Sequence, residues 1–253
     1  SNAMRKTIKT VVFTILFLAL IASTALLAYL HFFASDEMGL SGDKDISGEW
    51  TANLDMTQQA AFTALSWLQD IEGVSVSMED MESYMQDLTI QVNLTLEQTA
   101  QSEGTFRCSV LPESYDACYQ AAYEAFAEVF RELLTERLRM ADYTGGTDRE
   151  TIEALVTETF GMSTISYLMS YGPALLPSLE DLQIQYDGRG TYVTADGILT
   201  RQFDAGRPVA TSVECYMCGD FDLILYEETD SASPGLFPEH YPMVFTLVQP
   251  QDQ

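Results

Sequence analysis

At 253 residues the chain has room for one sizeable domain or two small ones beyond any targeting segment. Its 38 Asp and Glu against 12 Lys and Arg give a formal charge of −26, a surface that repels phosphate backbones and sets aside nucleic acid as a partner. Two histidines are too few for a multi-histidine metal centre in one chain.

Ser1-Asn2-Ala3, ahead of Met4, reads as the scar of a cleaved tag (residues 1–3). Arg5, Lys6 and Lys9 then precede Val11 to Phe33, an uncharged run of 23 mostly apolar residues. A helix needs about 20 such residues to cross a bilayer core, so residues 4–35 are expected to form a cytoplasmic stub and a transmembrane anchor, contacting the membrane through residues 11–33. The basic cluster before the run places the N-terminus in the cytoplasm and the rest outside. A cleaved signal peptide, with release of a secreted domain, is the alternative, although its apolar core is normally shorter. Candidate cleavage sites fall among Ala22, Ser23, Ala25, Ala28 and Phe33-Ala34-Ser35, and no cysteine near the end of the run offers a lipid attachment point.

Residues 36–45 read as a short polar tether, and residues 46–250 as a single extracytoplasmic α+β domain. Everything beyond the anchor carries all 38 acidic residues but only nine basic ones, a formal charge of −29. Trp50, Ala52, Leu54 and Met56 share one phase of a half-buried strand. Residues 57–86 form a helical insertion: a helix from Thr57 to Asp70, then a short one capped by Ser77 with Asp80 three residues on. Ile90, Val92, Leu94 and Leu96 alternate with polar residues in the clearest strand. Ser102-Glu103-Gly104 closes a hairpin onto Phe106, Cys108 and Val110.

Pro112 opens a second insertion, residues 112–173, expected as a helical hairpin. Its first helix runs to about Asp142 and Gly145-Gly146 stops it. The second is capped by Thr147 with Glu150 and ends at Gly172-Pro173. The remainder is β: Leu182–Tyr186, a Gly188–Gly190 turn, Thr191–Ala195, an Asp196-Gly197 turn, Ile198–Phe203, Val209–Cys218, a Gly219-Asp220 turn, Phe221–Glu227 and Met243–Val248. About eight mostly antiparallel strands favour an up-and-down barrel, because closure removes exposed edges. A strongly curved open sheet with the helices on one face is the alternative.

Gly48-Glu49-Trp50 at the start of the first strand resembles the Gly-x-Trp motif that opens lipocalin-like (calycin) barrels. The resemblance implies that Trp50 closes one end of a barrel and that the interior holds a small apolar ligand. Ligand-cavity candidates are therefore Trp50, Leu54, Ile90, Val92, Leu94 and Phe106. The chain departs from that pattern in lacking any Arg or Lys beyond Arg207 to stack on the Trp, and in placing long helices between strands.

Cys108, Cys118, Cys215 and Cys218 form an even set compatible with disulfides outside the cytoplasm, with no pairing fixed by spacing. Cys215 and Cys218 sit on an extended strand rather than at a helix start, so redox chemistry is disfavoured; a four-cysteine zinc site would need tighter pairs. His31 lies in the apolar run and His240 in a proline-rich loop. Asp43-Lys44-Asp45 and Asp220-Phe221-Asp222 lack a full calcium-loop spacing, and Asn93-Leu94-Thr95 is a glycosylation sequon in mid-strand. No catalytic set, metal or cofactor is expected, although a carboxylate-based hydrolase stays open. Tyr115, Tyr119, Tyr123, Phe126 and Phe130, with Phe160, Tyr167 and Tyr171, either weld the helices to the sheet or line a ligand cavity under the hairpin. The expected function is a membrane-anchored, extracytoplasmic binding module for a small apolar ligand. The alternative is a tethered structural or interaction domain with a solid core, whose acidic face would meet a basic protein partner.

Overall fold

The computed structural model describes residues 2–29, 44–71 and 75–250. His31, the Phe33-Ala34-Ser35 cleavage candidate, residues 36–43 of the tether and Asp43 lie outside them. Helix α1 spans Asn2–Tyr29. Its stretch Ala3–Ala28 contains an 18-residue window of mean hydropathy 2.6 with no buried residue, as suits a membrane anchor or a signal sequence. The hydroxyls of Thr10, Thr14, Ser23 and Thr24 donate to carbonyls one turn back at 2.6–2.9 Å, so these polar groups are satisfied within the helix, as lipid requires.

Beyond it, eight strands close into one antiparallel barrel: β1 Gly48–Asp55, β2 Thr89–Ala100, β3 Glu103–Val110, β4 Gly188–Ala195, β5 Ile198–Phe203, β6 Thr211–Cys218, β7 Asp222–Glu227 and β8 Met243–Leu247. Each pairs with the next, and β8 returns to β1 through Trp50↔Leu247 and Thr51↔Thr246. Alternate residues point inward and are buried, the period of two read in the sequence.

The two ends of the barrel differ because the connections do. Tight turns at Gln101-Ser102, Asp196-Gly197 and Gly219–Phe221 gather at the end where Gly48 begins β1. There Trp50 is buried and its Nε1 donates to the carbonyl of Ile46 at 3.0 Å. Gly48 has φ +146°, and a Cβ on it would meet Leu247 Cδ1 at 2.7 Å and Trp50 Nε1 at 3.4 Å. Glycine is thus needed two residues before the tryptophan both for backbone freedom and for room. Lys44 Nζ reaches Asp220 at 2.8 Å across the same end, joining the entering chain to the β6–β7 turn.

All the helices after α1, and the long β7–β8 loop, lie at the opposite end. They are α2 (Thr57–Gln69), α3 (Met78–Tyr84), α4 (Pro112–Met140), α5 (Arg149–Phe160), α6 (Thr164–Tyr171) and α7 (Leu179–Tyr186). Ser77 and Asp80 form the expected reciprocal cap on α3. Tyr115 and Tyr123 of α4 donate through their hydroxyls to the carbonyls of Pro177 and Pro173, both at 2.7 Å, fixing the α6–α7 connection.

The structure differs from the sequence expectations at four places. Leu182–Tyr186 is the end of helix α7, because Ser178 caps it and Leu182 and Tyr186, four apart, share its buried face while Ile184 is exposed. The second helical insertion therefore runs to Tyr186, not 173. Gly188-Arg189-Gly190 is no turn but the start of β4. The β2–β3 turn falls at Gln101-Ser102, with Glu103 and Gly104 already in β3. The helix expected from Thr147 is capped instead by Asp148, which accepts from Thr151 N at 3.2 Å, and it breaks at left-handed Gly161 (φ +75°) into α5 and α6.

These two helices are stapled to α4 by one buried cation. Arg131 donates to Glu128 at 2.7 Å and to Glu153 at 3.0 Å, and Glu153 also accepts the backbone N–H and hydroxyl of Thr164 at 2.9 and 2.7 Å. Burial works to raise the Glu153 carboxyl, but the Thr164 and Arg131 bonds outweigh it and hold its pKa below the ordinary 4.5. A carboxylate depressed by folding contributes stability that is complete above its unfolded value and fades as pH falls through the folded one. The cap is therefore expected to become more susceptible to limited proteolysis at α5 and α6 below about pH 4.5. Glu153→Gln should show that susceptibility already at pH 7, and unchanged cleavage in the variant would refute the staple.

Candidate functional site

The sequence expectation placed a ligand inside the barrel. Trp50, Leu54, Ile90, Val92, Leu94 and Phe106 do converge there, in one core cluster, and none has more than 3 % of its surface accessible. A space large enough for water leaves accessible area on its walls; these side chains leave almost none. Phe106 packs edge-on against Phe203 with ring centres 4.9 Å apart. At the helical end Phe237 of the β7–β8 loop plugs the barrel, fully buried, stacked on Tyr186 at 5.2 Å and close to Phe245 at 5.9 Å.

The interior also holds charge. Arg201 on β5 and Glu214 on β6 are both completely buried and paired through Arg201 Nη2 and Glu214 Oε1. Tyr241 donates to Glu214 Oε2 at 2.7 Å and Ser212 to Oε1 at 3.3 Å. The guanidinium lies over the Phe106 ring, 5.6 Å from its centre. Burial opposes the charge on Arg201, but the adjacent carboxylate prevails and its pKa is raised, while burial and Glu214 raise that of the Tyr241 phenol. Sequence reading passed over this cluster. Its signal lay in the strand phase, because Leu199, Arg201 and Phe203 alternate inward, as do Ser212, Glu214 and Tyr216.

The four cysteines are free thiols. Cys108 points into the barrel and Cys118 is buried on α4; burial pushes them up to about 12 and about 11. Cys218 also faces inward and is raised by burial, whereas Cys215 faces outward, donates to Glu228 at 3.0 Å, and is pushed to about 12 by burial and that carboxylate. All four are therefore protonated, and poor nucleophiles, near neutral pH. His240 is half-buried in the plug loop and its pKa is lowered by burial. Asn93 and Thr95 sit in mid-strand on β2, registered against β1 and β3. Among the described residues no three His, Cys, Asp or Glu gather as metal ligands would.

Three depressions among the described residues lie outside the barrel. A depression of about 560 Å³ on its outer wall is lined by residues that include Glu49, Thr95, Glu97, Arg107, Arg189 and Asp204. A second, about 330 Å³, runs between α4 and α5 among the ion pairs of Glu128, Arg131 and Arg149. Both are polar. The third, about 310 Å³, lies where α2, α4 and α6 meet, and among the described residues it is lined by Trp67, Leu68, Ile71, Phe130, Leu133, Leu134, Arg137 and Tyr167. Leu68 is fully buried beneath it, while the other apolar side chains are half-buried.

The sequence built this groove from three separate helical stripes. On α4, Phe126, Phe130, Leu133 and Leu134 share one face, and Trp67 of α2 meets Phe126 edge-on at 5.6 Å and Phe130 at 6.4 Å. Tyr167 of α6 closes the other side, 6.0 Å from Phe130 and stacked on Phe160 at 4.3 Å. Tyr171, 5.4 Å from Tyr167, continues the aromatic row into solvent. The stripe read in the sequence thus divides: Tyr115 and Tyr123 weld α4 to its neighbours, and Phe130 and Tyr167 wall the groove. Compared with known proteins, the chain matches no family model, no curated protein and no solved structure.

Proposed function

We propose that this chain is a membrane-anchored, extracytoplasmic binding module, acting by binding rather than catalysis, which takes a small apolar ligand at its helical cap instead of inside the barrel. One observation carries the reading. The six apolar candidates inside the barrel expose at most 3 % of their surface, whereas the side chains of the α2–α4–α6 groove border about 310 Å³ and remain partly open to solvent. That volume is at the lower end of the range for small-molecule sites, and the mainly apolar lining fits their usual composition. Helix α1 supplies the anchor and the basic residues before it favour an outward-facing domain. The lipocalin-like motif then accounts for the scaffold: Trp50 closes the barrel, which carries the helices.

The test is titration of the full chain, in nanodiscs of zwitterionic lipid, with the neutral fluorophore 1-aminoanthracene, corrected against empty nanodiscs. Saturable binding is expected, with Trp67 emission quenched while buried Trp50 gives a constant background. Leu133→Asp, which sets a charge into the groove wall, should weaken binding at least about tenfold, a change of about 1.4 kcal/mol. Binding that is absent, or indifferent to Leu133→Asp, rejects the site. The solid core and the charge of −29 would then favour the second reading, a tethered domain that recruits a basic protein partner.

A further inference from the structure

We propose that the depression on the outer wall of the barrel binds a short zwitterionic peptide, its carboxylate on Arg107 and Arg189 and its ammonium on Glu49 and Glu97. This site is separate from the cap groove, and its chemistry is of another kind. The strand register composes it. Glu49 of β1 stands opposite Thr95 of β2, Thr95 opposite Arg107 of β3, and Arg107 opposite Arg189 of β4. Two residues along the same strands, Glu97 stands opposite Thr105, and Thr105 opposite Thr191. The period of two turns all of these side chains away from the core. A space of about 560 Å³ is therefore bordered by two carboxylates on its β1–β2 side and two guanidiniums on its β3–β4 side.

The two pairs do not neutralise each other. Glu49, Glu97 and Arg107 are exposed, and among the described residues none of the three makes an ion pair or a side-chain hydrogen bond. Arg189 has a partner, Asp204, whose carboxylate lies 3.7 Å from its Nε in an exposed contact of the kind that contributes little. Arg107 and Arg189 are like charges placed directly opposite one another on neighbouring strands, which costs stability. A carboxylate seated across both guanidiniums removes that repulsion and gains charge-assisted hydrogen bonds. Glu49 and Glu97 are diagonal neighbours on β1 and β2, and an ammonium relieves them in the same way.

The surrounding charge favours a ligand that carries both signs. The −29 beyond α1 holds off a simple anion, whereas a zwitterion meets that field with no net charge and aligns with the local pairs. The span favours a peptide over a single amino acid. Neighbouring strands lie about 4.8 Å apart, so the backbones of β1 and β3 are separated by about 10 Å. An amino acid carries both charges on one carbon and engages one pair at a time, while an extended peptide separates them by roughly 3.4 Å per residue.

The experiment titrates the full chain, in zwitterionic nanodiscs, with trialanine, N-acetyl-trialanine, trialanine amide and alanine, read by saturation-transfer NMR against empty nanodiscs. Trialanine is expected to bind saturably, and each capped form about tenfold more weakly, the effect of losing one charge-assisted contact, with alanine also weaker than trialanine. Arg107→Gln should lower trialanine to the level of its amide and leave the amide unchanged. Glu97→Gln should lower trialanine to the level of its N-acetyl form and leave that form unchanged. Both positions are exposed, and an unaltered near-ultraviolet circular dichroism spectrum would show that the barrel is intact in each variant. Absence of trialanine binding overturns the site. Equal binding of trialanine and either capped form, or a variant that retains the preference, overturns the zwitterion assignment. Glycerophosphocholine, which pairs a phosphate with a quaternary ammonium, overturns the peptide in favour of a lipid head group if it binds more tightly than trialanine. Binding of 1-aminoanthracene should be the same in both variants as in the parent chain, so the fate of this site and that of the cap groove are read separately.

Discussion

Glu214→Ala is expected to lower the unfolding free energy by about 3–5 kcal/mol, the cost of leaving a buried charge without its partner. Arg201 has no accessible surface, its Nε and Nη1 already lack hydrogen-bond partners, and Glu214 supplies its counter-charge. Removing the carboxylate would also strand the Tyr241 hydroxyl, which spans the gap between Glu214 and the backbone N–H of Phe237 at 3.0 Å. The plug loop would then lose its tie through Tyr241 and keep the bond from Val213 N–H to the Pro234 carbonyl at 3.2 Å. Urea unfolding of the full chain in nanodiscs, followed by near-ultraviolet circular dichroism, measures the loss. The double variant Arg201→Met/Glu214→Leu should recover most of it, because well-packed apolar replacements of a buried pair are often neutral or stabilising. A loss under about 1 kcal/mol for Glu214→Ala would mean that water reaches Arg201 and that the pair is not sealed.

Gly190→Ala should be nearly as damaging, at about 3 kcal/mol or more, beyond the usual cost of overpacking. A Cβ there would stand 1.8 Å from the carbonyl oxygen of Gln202, 2.9 Å from its carbon and 3.0 Å from Phe203 Cα, all backbone atoms of the neighbouring strand. No side-chain rotation relieves such a clash; β4 and β5 must separate. Gly188→Ala provides the internal comparison. Its Cβ would meet Phe203 Cδ1 at 2.8 Å and Arg207 Nη1 at 2.9 Å, both on side chains that can turn away. The same urea measurement should rank Gly190→Ala well below Gly188→Ala, and equal midpoints would show that the strands yield.

Those two glycines also mark where reading the sequence fell short. Gly188-Arg189-Gly190 carries the composition of a turn, and glycine in a strand serves just as well where two backbones approach closely. Only the position of β5 distinguishes the two uses. Leu182 to Tyr186 misled in a similar way, since a five-residue alternation fits a strand, and the Ser178 cap with its following acids was the stronger local signal. By contrast β1, β2 and the Asp196-Gly197 turn were legible because one face of each strand is buried and the other wet. Barrel and open sheet both fitted that pattern. Closure depends on β1 meeting β8 from the other end of the domain, and no local signal reports it.

The candidate site was legible in pieces only. Phe130 and Tyr167 stood out as members of an aromatic stripe, but nothing in their spacing shows that three helices stop short of filling the space between them. Arg201 and Glu214 sat in the inward phase of their strands, where a charged residue without a visible partner is easily taken for a break in the pattern. Their pairing joins neighbouring strands, so it becomes visible only once β5 and β6 are in register.

Because β8 hydrogen-bonds back to β1, the sheet offers no unpaired strand along its rim. Were α1 to hold the domain at a membrane, as proposed, copies of it would meet far more often than they would in free solution. An open sheet in that setting could recruit a neighbour strand by strand and grow into a fibre. The ring of eight gives such strand-by-strand growth no template.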